Sequence, residues 1–262
     1  MMTADEIAAF QRDGAVVVRG VFADWVDVMA EGVAANMAAP GRYASENAVT
    51  QGRFFDDYCN WTRIPAFERV VRDSPAAELA ALAMQSQTAQ FFHDHVLVKE
   101  PGTPKPTPWH QDSPYYFVEG QQTVSLWVPL DPVREASLRF IAGSHKWEKP
   151  VRPVSWADDS DFYNSGDWTP VPDPDANPAD MTILEWPMEP GDAVLFDFRT
   201  VHGARGNTAQ TRRRALSLRW VGDDARYVAR PGRTSPPYPG HDMQPGQRLR
   251  EDWFPVIWQA TA

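Results

Sequence analysis

The spacing of apolar and polar residues changes character once along this chain. Up to about residue 92 it is mostly helical, and beyond that short apolar runs alternate with Pro, Gly and Asp. Thr3 to Arg12 opens with a candidate N-cap, has Glu6 at capping-box spacing and places Ile7 and Phe10 on one helical face. Ala15-Val16-Val17-Val18, bounded by Gly14 and Gly20, predicts a strand, and Trp25 to Met37 returns to a helical pattern. Residues 40–60 read as loop. Pro75 to Phe92, rich in Ala, Leu, Met and Gln with no interior breaker, predicts a further helix.

From His93 onward the predicted strands are Val96 to Lys99, Thr123 to Leu130, Leu138 to Ile141, Ala193 to Phe198 and Arg212 to Val221, an antiparallel barrel or sandwich. In the last of these, Leu216, Leu218 and Trp220 share one parity while Arg213, Ala215, Ser217 and Arg219 share the other. The run Val124, Leu126, Val128 and Leu130 against Ser125 and Trp127 repeats that arrangement. Each strand has an apolar back and a front suited to lining a pocket.

Trp147 to Met181 lacks periodicity, and within it Ser155 to Asp180 holds seven Asp and no Lys or Arg. A loop of this length inside a compact domain predicts a lid or a solvated insertion. The tail after Gly222 ends in Trp253-Phe254-Pro255-Val256-Ile257-Trp258, which predicts a segment packed back on the body.

Composition narrows the possibilities. With 262 residues, 43% hydrophobic and including 11 Trp, the chain is expected to form one domain over residues 1–262. A net charge of −10 disfavours nucleic acid or an anionic membrane as partner. The single cysteine, Cys59, allows no internal disulfide, no secretory leader opens the chain, and no apolar run is long enough for a membrane span; the expectation is a cytoplasmic monomer or homodimer.

The chemistry centres on Trp109-His110-Gln111-Asp112. Were this stretch extended, His110 and Asp112 would share a face and offer an imidazole and a carboxylate to one metal ion. Such a pair also fits a surface histidine beside an acid, so a third ligand decides, and His202 in Val201-His202-Gly203 is the candidate.

Taken together, Trp109-His110-Gln111-Asp112, Leu138-Arg139-Phe140-Ile141-Ala142-Gly143-Ser144-His145, Gly191-Asp192-Ala193-Val194-Leu195-Phe196, and His202-Gly203 with Asn207 and Arg213-Arg214-Ala215-Leu216-Ser217 resemble the phytanoyl-CoA dioxygenase family. The resemblance implies a mainly β fold with flanking helices, a double-stranded β-helix of jelly-roll, cupin-like type. Its β core would span about residues 93–221, with helical N-terminal support and a lid at about 147–181. It implies Fe(II) on His110, Asp112 and His202, 2-oxoglutarate as cosubstrate, and O2-dependent hydroxylation of a small-molecule substrate with release of succinate and CO2.

In the same resemblance Arg213, eleven residues after His202, pairs with the distal carboxylate of 2-oxoglutarate. Strand parity favours it over Arg212 and Arg214. Trp127, Lys99, His95 and Ser217 fall at cosubstrate-lining positions; His93 shares a strand face with His95, and His145 reads as structural. The chain departs from the family where Ala204 follows His202-Gly203 in place of Ser, and where Ala136-Ser137 replaces the usual Asn-Gly. A halogenase on this fold would need the carboxylate position open, and Asp112 fills it. A metal- or ligand-binding barrel without turnover is the alternative from another class, distinguished by oxygen-dependent succinate formation.

The acidic loop predicts a neutral or cationic small substrate and disfavours a CoA thioester. Arg205, Arg226, Arg230 and Arg233 leave a counter-case, a basic wall suited to a small carboxylate.

Overall fold

A computed structural model describes residues 1–46, 53–104, 106–134, 137–155, 160–177 and 181–261. Helix α1 (Ala4–Asp13) is closed by the capping box of Thr3 and Glu6 and ended by Gly14 in the left-handed region, φ 78°. Strand β1 (Ala15–Val18), α2 (Val26–Ala38), β2 (Ser45–Glu46), β3 (Phe54–Tyr58), α3 (Pro65–Asp73) and α4 (Ala76–Met84) follow. The strand-rich part comprises β4 (Thr88–Lys99), β5 (Thr107–His110), β6 (Val118–Glu119), β7 (Thr123–Pro129), β8 (Leu138–Ile141), β9 (Ile183–Glu185), β10 (Ala193–Phe196), β11 (His202–Ala204), β12 (Arg213–Val221), β13 (Arg226–Tyr227) and β14 (Val256–Gln259).

A large antiparallel sheet runs β1-β10-β7-β12-β4-β3-β2, with β14 also on β4, and a smaller one runs β5-β11-β8-β9. The parity read from β12 and β7 holds. Leu216, Leu218, Trp220, Val124, Leu126 and Val128 pack with the helices in one core, while Trp127 and Ala215 join Leu138, Phe140 and Ala204 of the small sheet in another. Helices therefore cover one face of the large sheet, and the small sheet covers the other. This is the double-stranded β-helix with flanking helices.

Three expectations are corrected. The helix predicted over 75–92 stops at Met84, where Gln85 takes a left-handed cap at φ 52°. Residues 88–92 belong to β4, because there Gln90 pairs with Val256 and Phe91 with Trp220. Helix-forming residues in a segment flanked by strands on both sides yield to sheet pairing. The stretch read as loop contains β2 and β3, and β3 pairs with β4 from Phe54↔Lys99 to Tyr58↔His95; residues 47–52 lie outside the described residues. Helix α3, begun by Pro65 in its first turn, was missed.

The tail packs as expected, with Phe254 fully buried and β14 on β4. Most of the 147–181 loop is described, with Val151 bridging Thr169 and Val154 bridging Asp161; residues 156–159 and 178–180 lie outside the described residues, as does Ala136.

Asp94 of β4 is fully buried and accepts the backbone amides of Asn60 and Trp61 at 2.8 Å each. Burial pushes its carboxyl from the ordinary 3.8 up to about 6, against those amide bonds. The folded state thus holds a proton more tightly than the unfolded chain. Stability from this group is full below about pH 4 and lost as pH rises through about 6, on the order of 3 kcal/mol at most. Urea unfolding of Asp94→Asn across that range is expected to show the variant gaining on the wild type as pH rises; a constant difference contradicts the assignment.

Candidate metal centre and adjoining cleft

His110 closes β5 and His202 opens β11, and the two are register partners across the small sheet. Asp112 reaches them differently from the sequence expectation. The strand ends at His110, and Asp112 has a helical backbone, φ −70° and ψ −39°, at the start of a short turn over Ser113–Tyr115. A turn, and not strand alternation, brings the carboxylate round. Asp112 Oδ1 lies 3.7 Å from His110 Nε2 and 3.9 Å from His202 Nε2, and one ligand atom from each residue falls within 4.8 Å of the others. All three side chains are buried.

The donor set suits a divalent ion. His110 Nδ1 lies 2.8 Å from the Pro108 carbonyl oxygen and His202 Nδ1 2.9 Å from that of Thr200. A carbonyl only accepts, so each Nδ1 carries a proton and each Nε2 is the ring nitrogen on the Asp112 side. Burial, then the neighbouring His110, lowers His202 to about 3 and keeps it neutral. Burial works against an ionised Asp112, but the Arg219 guanidinium outweighs it and holds the carboxyl far below its ordinary range. Its Oδ2 accepts from Ser125 Oγ at 3.0 Å and faces Arg219 Nη2 at 3.7 Å, which leaves Oδ1 toward the imidazoles. Two imidazoles and one carboxylate form the facial set of non-haem iron sites.

The sheet registers also gather the other predicted residues. On β12, Arg213 lies opposite Lys99 of β4, and Ser217 lies between His95 of β4 and Trp127 of β7. Arg213 is buried with its guanidinium 5.6 Å from the Trp127 ring centroid, and burial alone lowers it to about 10. Arg212 and Arg214 instead pair with Glu100 at 2.8 Å and Asp131 at 2.7 Å. Ser217 Oγ and Trp127 Nε1 are buried with no hydrogen-bond partner among the described residues, as expected of groups that await a polar ligand. Lys99 Nζ, by contrast, is occupied, donating to Thr107 Oγ1 at 3.2 Å and to the Arg205 carbonyl at 3.4 Å. Ala204 is buried on β11 and brings no hydroxyl.

A cleft of about 300 Å³ adjoins the triad, lined among others by Tyr58, His93, His95, Tyr116 and Arg219. His95 Nε2 meets Asp56 at 3.4 Å in its wall. The long loop supplies Val154, Ser155 and Phe162 to that lining, and Tyr115 anchors it, its hydroxyl donating to Val154 O at 2.8 Å and accepting from Val154 N at 2.9 Å. His145 lies in a separate cleft with Phe10 and Arg199.

Tyr116 and Tyr58 were not singled out from the sequence, and Arg219 was placed on the pocket-facing parity of its strand without a role of its own. Arg219 had a signal, its shared parity with Arg213 and Ser217; Tyr58 lay in the supposed loop and had none. The four downstream arginines do not assemble into a basic wall. Arg205 pairs with Glu185, Arg230 with Glu119, Arg226 donates to the Asp223 carbonyl and Arg233 is exposed.

The profile of the family described as Phytanoyl-CoA dioxygenase (PhyH) matches residues 10–215. A probable phytanoyl-CoA dioxygenase of Caenorhabditis elegans is 27% identical over 72% of this chain and 60% of its own length. A probable alpha-ketoglutarate-dependent hypophosphite dioxygenase of Stutzerimonas stutzeri is 26% identical over 51% of this chain and 46% of its own. The chain thus spans about half the length of these curated relatives. Among solved structures, the alpha-ketoglutarate-dependent epimerase SnoN from nogalamycin biosynthesis superposes with TM-score 0.76 at 22% identity, covering 97% of this chain and 98% of that one. EctD from S. alaskensis with 2-oxoglutarate and 5-hydroxyectoine superposes with TM-score 0.67 at 21% identity, covering 100% and 86%. At these identities the structures attest the shared fold.

Proposed function

Because the chain belongs to the phytanoyl-CoA dioxygenase family, we propose that it is an Fe(II)- and 2-oxoglutarate-dependent oxygenase that hydroxylates a small-molecule metabolite and releases succinate and CO2. The observation that carries this reading is the buried His110, Asp112 and His202 set opening on a cleft. These residues would hold iron, which when bound supplies the redox chemistry that couples O2 to oxidative decarboxylation of 2-oxoglutarate.

The chain's own residues do the rest. Asp112, fixed by Ser125 and Arg219, presents one oxygen to the metal position. Arg213 offers a desolvated guanidinium fork matched to the distal carboxylate of the cosubstrate, with Ser217 and Trp127 as neutral donors beside it. His95 fronts the cleft, and Lys99, held by Thr107 and Arg205, contributes positive charge on the strand beside Arg213. Tyr115 and the loop it anchors limit water at the reacting centre. A halogenase is disfavoured because Asp112 occupies the carboxylate position.

The test is 2-oxoglutarate-dependent succinate formation. Aerobic incubation with Fe(II) and ascorbate is expected to yield succinate, which vanishes without O2 or with a chelator; succinate formed equally without oxygen rejects the reading.

A further inference from the structure

Arg219 and His93 hold register-paired positions on β12 and β4, and both are buried in the lining of the cleft. Arg219 Nε donates to the Tyr116 hydroxyl at 3.1 Å, and Nη2 stands 3.7 Å from Asp112 Oδ2. Its Nη1 is buried with no hydrogen-bond partner among the described residues. His93 Nδ1 lies 3.1 Å from the Asp94 carbonyl oxygen, so the ring carries its proton there and Nε2 is an acceptor; Nε2 likewise has no partner among the described residues. A cationic donor and a neutral acceptor thus stand side by side, each one bond short.

Charge leads to the same ligand. The carboxylate nearest Arg219 is Asp112, whose charge a metal dication would also claim, with the buried Asp94 acting from farther off. The guanidinium would then be a second buried cation beside the metal, a situation that calls for an anion. Among the described loop aspartates, Asp161, Asp167 and Asp175 are turned to Arg152, Lys149 and Arg139.

We infer that Arg219 and His93 form a substrate-recognition subsite, resting on the oxygenase reading of the triad, for a small organic acid with a hydroxyl or amino group near its carboxylate. The carboxylate pairs with Arg219, and the adjacent O–H or N–H donates to His93 Nε2. Of the two substrate classes left open by the sequence, this selects the small carboxylate, with the cation supplied by buried Arg219 instead of Arg205, Arg226, Arg230 and Arg233.

Three probes test it: 2-hydroxyhexanoate, hexanoate and methyl 2-hydroxyhexanoate. Each is titrated by calorimetry into the metal-free protein and into the anaerobic Fe(II)–2-oxoglutarate complex, whose visible absorption is followed in parallel. The hydroxy acid is expected to bind both forms most tightly and the ester not at all. Arg219→Gln should weaken the acids by about tenfold or more, and Arg219→Lys less. His93→Phe should erase the preference for the hydroxy acid over hexanoate while leaving hexanoate binding near wild type. Equal binding of acid and ester overturns the subsite, as does bleaching of the absorption by displaced cosubstrate, which would make Arg219 a cosubstrate group. Absorption that fails to develop while Arg219-dependent binding to the metal-free protein persists removes the oxygenase reading and leaves the anion subsite standing; normal absorption without Arg219-dependent binding does the reverse.

Discussion

Asp112→Ala and His202→Ala are each expected to lower 2-oxoglutarate turnover roughly 10³-fold or more, because each removes a donor from a three-ligand site. The losses should not add in the double variant, since two of three ligands hold the ion no better than one. Asp112→Ala also strips buried Arg219 of its carboxylate partner, a cost on the order of 3–5 kcal/mol. Asp112→Asn preserves volume and the Ser125 contact, and it separates ligand loss from unfolding. Fe(II) binding followed by calorimetry, with circular dichroism for the fold, checks both parts. Wild-type turnover in a folded variant sinks the triad.

Arg213→Ala is expected to raise the 2-oxoglutarate requirement by about 10²-fold, the scale for truncating one side of a buried charge pair. Arg212→Ala and Arg214→Ala should change it by less than about twofold. Their guanidiniums pair with Glu100 and Asp131 nearer the surface, where an ion pair is worth at most about 1 kcal/mol. Arg213→Lys should recover only part of the loss, since an ammonium cannot make the two parallel bonds of the fork. Initial rates against 2-oxoglutarate concentration measure the series. Equal effects at the three positions would show that the burial of Arg213 serves the fold alone.

Much of this was legible in the chain itself. Parity along β12 and β7 separated the helix-covered face from the face toward the small sheet, because successive strand side chains must point to opposite faces, and it marked Arg213 as the inward arginine of its triplet. The capping box at Thr3 and Glu6 is a local contract between four residues, so it was readable too.

What the sequence could not carry was anything that depends on who lies alongside. Residues 88–92 have helical composition and became strand because β12 and β14 flank them. Asp112 joins His110 through a turn after the strand, a geometry that the H-x-D spacing alone leaves undetermined. Arg205, Arg226 and Arg230 looked like part of one basic cluster by number, yet separate partners hold them apart. Arg219 and His93 lie 126 positions apart and become neighbours only through the β12·β4 register. Local propensity and parity are properties of a few consecutive residues, whereas charge compensation and hydrogen-bond satisfaction are settled across strands, and there the tertiary structure alone decided.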